Sequence, residues 1–225
     1  MSKMTLESKS VKNRENSLEK RADEKEAKIS PRTKLTLQLA GAAIFGALSA
    51  VAYPALKPLI DLTRVPEGLA LFDPISIIWM TCFMLFGPIA GLLSCTVGFI
   101  TLIPFDTSIP VIAPAMKFAA TLPLMIIPIV VLRLYKKENG SQKLKKPKNF
   151  IVSGVLGIVV RDIVMIIFNI VVYIAFFGRA GLEAWLLLII WINIITSIWD
   201  LSIPYAIVFG ALDYGLKLNE KFEIW

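Results

Sequence analysis

Six apolar runs, at about 35–53, 73–87, 88–104, 112–134, 150–177 and 184–212, leave this chain little choice of solvent. Of its 225 residues 56% are hydrophobic and only 18% charged, and the charges gather between the runs. Stretches of that kind read as helices crossing a bilayer, where each backbone N–H and C=O must be satisfied within its own segment. The expected fold is therefore all-α, a polytopic membrane protein of six transmembrane helices. The second and third runs are short and separated only by Gly87-Pro88, which predicts a tight helical hairpin. The last two are long enough to tilt or to project beyond the bilayer.

Orientation follows from lysine and arginine. Ten lie in the tail up to Lys34, seven between Arg133 and Lys148, and two more are Lys217 and Lys221. The connections on the other side carry only Lys57, Arg64 and Arg179. Nineteen against three predicts that both termini are cytoplasmic, in a multi-pass protein of the cell membrane. Three regions result. Residues 1–34 read as a charged cytoplasmic tail, disordered or loosely helical, in which Glu15, Glu19, Lys20, Asp23, Glu24, Lys25 and Lys28 stand at helical pairing distances. Residues 35–213 form the membrane domain, and 214–225 a short cytoplasmic end.

Several function classes drop out. The net charge of +7 sits in blocks that orient helices, so no nucleic-acid partner is expected. Cys82 and Cys95 lie in apolar runs and read as small buried hydrophobes, with no disulfide framework. Histidine is absent, which removes the commonest metal ligand and the HExxH zinc motif. No GxxxxGK[ST] loop occurs, so the chain has no Walker nucleotide site of its own. No apolar segment follows the opening charges in the manner of a signal peptide. Asp162 and Asp200 invite comparison with intramembrane aspartyl proteases, but Ser197-Ile198-Trp199 replaces the glycine-rich context of such enzymes. No catalytic residues, cofactor or metal are expected; the chain does not read as an enzyme.

Leu39–Ala52, LAGAAIFGALSAVA, is apolar yet poor in bulk. Ala43 and Ala47 stand one turn apart, with Ala42, Gly46 and Ala50 on a neighbouring ridge. In lipid, small residues four apart let another helix approach closely, either within the bundle or from a partner. Ionisable residues inside a membrane need a partner or a task. Arg161 and Asp200 fall at comparable depth in the fifth and sixth runs, which predicts a structural charge pair between them. Lys117, Thr121, Asn169, Tyr173, Trp191 and Asn193 share the extracellular depth of the last three runs. Together they outline a pocket for a small organic solute, beneath a connection from Pro54 to Phe72 that packs as a lid or remains an exposed linker. Trp79, Trp185 and Trp191 have the alternative reading of interface anchors.

The order of these features resembles the substrate-binding S components of energy-coupling factor (ECF) vitamin transporters, over about 35–212. The resemblance rests on the small-residue first helix, the long outer connection, Asp73-Pro74-Ile75-Ser76 opening the second helix, and Leu85-Phe86-Gly87-Pro88-Ile89-Ala90-Gly91 at the hairpin. It implies a transmembrane coupling subunit docked on Ala43 and Ala47, two ABC-type ATPases beneath it, and a vitamin substrate held by the outer connection and the last three helices. The Asp73–Gly91 segment is most similar to riboflavin-type members. The fourth helix departs from them, reading Ala113-Pro114-Ala115-Met116-Lys117-Phe118 without the Glu and Asn of that form, and Lys117 suits a negatively charged substrate. The lack of histidine argues against the nickel and cobalt branch. Two other classes stay open: a structural or assembly membrane protein without a solute, and a stand-alone secondary transporter.

Overall fold

Proline and glycine set the helix boundaries. Helix α1 (Pro31–Leu62) starts behind Ser30, whose hydroxyl accepts from the Thr33 N–H at 3.2 Å, with proline at the first helical position. Helix α2 (Pro74–Phe86) repeats that design: the Asp73 carboxylate accepts from the Ile75 N–H at 3.0 Å. It stops at Gly87, whose φ of +94° is one a side chain rarely tolerates, and α3 (Pro88–Leu102) begins at the next residue. Further on come α4 (Ile112–Leu134), the short α5 (Gly140–Lys145), α6 (Pro147–Phe177) and α7 (Leu182–Tyr205), which runs on as a π-helical stretch, Ala206–Leu212. This computed structural model describes residues 30–65, 69–105, 111–134 and 140–212, and among them the architecture is helical apart from one isolated bridge, Arg64 to Ala70. The expectations for the charged tail before Ser30 and for the 214–225 end lie outside the described residues.

One boundary departs from expectation. The first helix does not end near Tyr53 but continues through Pro54 and Pro58 to Leu62. Each proline forfeits one ladder bond, yet Tyr53 and Ile60, two turns apart on one face, are both buried, so packing holds the helix across the defects. The connection to α2 is thereby reduced to residues 63–73. It folds back on itself, with Val65 N–H donating to Leu69 C=O at 2.8 Å and Leu71 N–H to Thr63 C=O at 3.1 Å.

Four segments are long and apolar enough to cross a membrane: Pro31–Leu62, Ile112–Leu134, Pro147–Phe177 and Leu182–Leu212. Helices α2 and α3, of 13 and 15 residues, are apolar but short. They measure about 20 Å and 22 Å at 1.5 Å per residue, against a hydrocarbon core of about 30 Å. The outward-facing side chains suit the same medium. Val155, Val159, Ile163, Ile167 and Val171 make an exposed apolar stripe along α6, and Ile44, Leu48 and Val51 do so on α1. Such faces suit lipid, and the molecule is a membrane protein.

The small residues of α1 divide between two faces. Gly41, Ala42, Gly46 and Ser49 are buried; a Cβ at Gly41 would lie 2.6 Å from the Phe86 ring, and one at Gly46 2.8 Å from Val97. Ala43 and Ala47 are exposed on the side that carries Ile44 and Leu48. Around α2 the packing is tightest: Ile75, Trp79, Met80, Cys82 and Phe83 are wholly enclosed by α1, α3, α4 and α7. Trp79 is thus a core residue and not an interface anchor. Gly98 of α3 lies flat on its indole, where any Cβ would overlap the ring. Gly98→Val is expected to lower stability by about 1–3 kcal/mol, because a rigid, fully enclosed indole cannot yield as a flexible side chain would. Thermal unfolding of the purified protein measures it.

Candidate functional site

A cavity of about 630 Å³ opens at the end of the bundle where the α1–α2 connection and the α6–α7 turn lie. Its walls come from the last turns of α1, the first turns of α2 and α4, and the facing halves of α6 and α7. On α7 the lining residues are Trp185, Ile189, Ile192, Asn193, Thr196 and Asp200, one stripe at three- and four-residue spacing. From Trp185 at the mouth to Asp200 at the bottom is about 22 Å along the helix. The cavity is therefore deep, and its polar groups fall in tiers.

Four ionised side chains form the floor. Arg161 Nη1 donates to Asp200 Oδ2 at 2.7 Å, and Nη2 to Thr196 Oγ1 at 3.0 Å. Both partners of that pair are buried, at 5% and 2% exposure. Across the floor Lys117 forms an ion pair with Asp73, and its ammonium stands 5.3 Å from the centroid of the Tyr53 ring. Asp73 has two tasks, since its other oxygen caps α2. One further cation, Arg64, reaches the lining from the connection and pairs with Asp61 at 3.2 Å.

The middle tier is a pair of amides. Asn169 Nδ2 donates to the Met165 carbonyl at 2.8 Å, and Asn193 Nδ2 to the Ile189 carbonyl at 3.0 Å. Only the NH2 end of an amide can donate to a main-chain carbonyl, so the orientation of both side chains is fixed. Each is left with a carbonyl oxygen and one N–H engaging no other described residue. Asn169 stands eight residues along α6 from Arg161, and Asn193 seven along α7 from Asp200; both are thus about 10–12 Å above the floor. Met165 of α6 supplies apolar wall between the floor and the amides, and Ile189 and Ile192 of α7 lie on the mouth side of Asn193.

Aromatic rings make the rim. Tyr173 lies 5.3 Å from Trp185 and 5.4 Å from Phe177 between centroids, and its hydroxyl donates to the Ala180 carbonyl at 2.8 Å. That bond ties α6 to a turn whose Gly178 and Gly181 have φ of +76° and +78°.

Of the residues picked out in the sequence, Lys117, Asn169, Tyr173 and Asn193 line this one cavity, and Arg161 and Asp200 meet at its floor. Thr121 and Trp191 do not line it. Thr121 is buried in helix packing, its hydroxyl donating to its own helix at Lys117 C=O, 2.9 Å. Trp191 is 65% exposed. At 100° per residue it points about 150° away from the centre of the α7 stripe, toward the bilayer. Shared depth selected it; helical phase would have selected Trp185. Asp73 was also missed as a site residue, although its place as the acid before Pro74 marks it as a cap. Lys117, read as an open cation, already has a carboxylate partner in Asp73.

Cys82 and Cys95 are both free and buried, away from the cavity lining. Among the described residues no group of three His, Cys, Asp or Glu side chains could hold a metal ion. No family model, curated protein or solved structure matches this chain.

Proposed function

We propose that this chain is the membrane-embedded substrate-binding subunit of an ATP-driven importer of the ECF type, taking up a water-soluble vitamin or related micronutrient, with riboflavin the first compound to try. The observation that carries this reading is the cavity: about 630 Å³, closed below by ion pairs, walled by apolar side chains and rimmed with aromatics. That volume lies within the roughly 300–1,000 Å³ range of small-molecule sites. In this reading six segments cross the membrane, both termini are cytoplasmic, and the cavity mouth faces outside. The short α2 then crosses in the interior of the bundle, while α3 turns Ile89, Leu93, Val97 and Ile100 outward to lipid.

Import against a gradient needs an energy source, and the sequence has no Walker loop. A coupling subunit with two ABC-type ATPases would supply it. Ala43 and Ala47, small and exposed on α1, support a docking face there. The 63–73 connection would serve as the lid, since Leu69 and Ala70 line the mouth.

Mass spectrometry of small molecules released from the gently purified protein tests the binding reading. A stoichiometric solute supports it; an empty protein with no affinity for any vitamin overturns it. Lys117→Met then separates binding from scaffold. The expected result is at least a tenfold loss of bound solute with unfolding temperature lowered by only a few degrees, because the pair is partly hydrated at 17% and 15% side-chain exposure. A purely structural role predicts loss of the fold instead.

A further inference from the structure

The three cations that reach the cavity lining each have an acidic partner: Lys117 with Asp73, Arg161 with Asp200, and Arg64 with Asp61. Asp61 is shared with Lys57, but Lys57 is 41% exposed, stands outside the lining and is screened by water. Asp73 and Asp200 are in turn the two acids of the lining, and both belong to these pairs. The floor therefore carries no net charge. Burying a solute anion there would require either an uncompensated charge in a medium of low dielectric or the breaking of an existing pair.

Apart from the Nε–H of Arg161, whose charge Asp200 already balances, the lining groups with no partner are neutral, among them the Trp185 indole N–H. Asn169 and Asn193 present an acceptor oxygen and one N–H each, about 10–12 Å above the Arg161–Asp200 pair, with Met165 and Thr196 on the wall between. We infer that the cavity selects an elongated solute of no net charge, with hydrogen-bonding groups near both ends, the ion-paired floor taking one end and the amide pair the other. Asp73 is the specificity-determining residue, since it cancels the Lys117 charge that would otherwise attract a carboxylate or phosphate. The inference rests on the proposal that this cavity binds a solute, and narrows it.

The test uses the full chain in lipid nanodiscs, with riboflavin and riboflavin 5′-phosphate as a pair differing by one anionic group, alongside the mass and ionisation of any solute released on denaturation. Riboflavin at least tenfold tighter than its phosphate, or release of an uncharged solute, supports the inference. A tighter phosphate, or release of a carboxylate or phosphate, overturns it and leaves solute binding standing. No released solute and no binding of either compound overturns both. Asp73→Asn adds a second reading, because asparagine caps a helix as well as aspartate and so keeps the start of α2 while unmasking Lys117. The ratio of affinities should move toward the anionic member by tenfold or more. An unchanged ratio in a folded variant would overturn the role of Asp73.

Discussion

Arg161→Met is expected to destabilise the protein by about 3–5 kcal/mol, the cost of leaving a buried charge without its partner. Asp200 is 2% exposed and receives the Arg161 guanidinium at 2.7 Å; Asp73 and Lys117, across the floor, are already paired. With Arg161 gone the carboxylate would have to ionise alone, take up a proton, or draw water into the bundle. The double variant Arg161→Met, Asp200→Leu removes both charges and is expected to recover most of the loss, as replacement of buried ion pairs by apolar side chains often does. Solute binding should not recover with it, because the pair also forms the floor of the cavity. Unfolding in denaturant and equilibrium binding, measured on the same preparations, separate the two roles. A double variant as unstable as the single one would show that shape, and not charge, holds α6 to α7.

How far this was legible from sequence depends on which physical signal was available. Gly87-Pro88 marked the hairpin because a glycine stop followed by a proline start leaves no other local solution. The pairing of Arg161 with Asp200 followed from the expense of unpaired charge in a bilayer and from equal depth along two helices. The continuation of α1 beyond Pro54 was hidden, since it depends on Tyr53 and Ile60 finding a core that only the folded bundle provides. Lys117, Asn169, Tyr173 and Asn193 do line one cavity, but spread over its floor, middle and rim and not at one shared depth. Depth was insufficient for Trp191, which has the depth of the cavity and the azimuth of the lipid face. The Lys117–Asp73 pair was hidden for a different reason: it joins two helix starts 44 positions apart, and no periodicity links them.

Replacing both Asn169 and Asn193 with leucine is expected to weaken solute binding by about a hundredfold while leaving the fold intact. Two hydrogen bonds at about 1–1.5 kcal/mol each account for that factor. The protein itself loses little. Each amide donates to a carbonyl, Met165 or Ile189, that stands four residues back in the same helix and already serves the ladder, so neither substitution strands a buried acceptor. Leucine has the same branching and number of heavy atoms as asparagine, though bulkier methyls, and is at home among Met165, Ile189 and Ile192. Single variants should each lose about tenfold, and the sum of their effects should approach that of the pair if one solute bridges both amides without rearranging. Equal affinity in the double variant and the parent would mean that the amide tier serves only helix packing. A folded double variant that no longer retains solute through purification is the expected outcome.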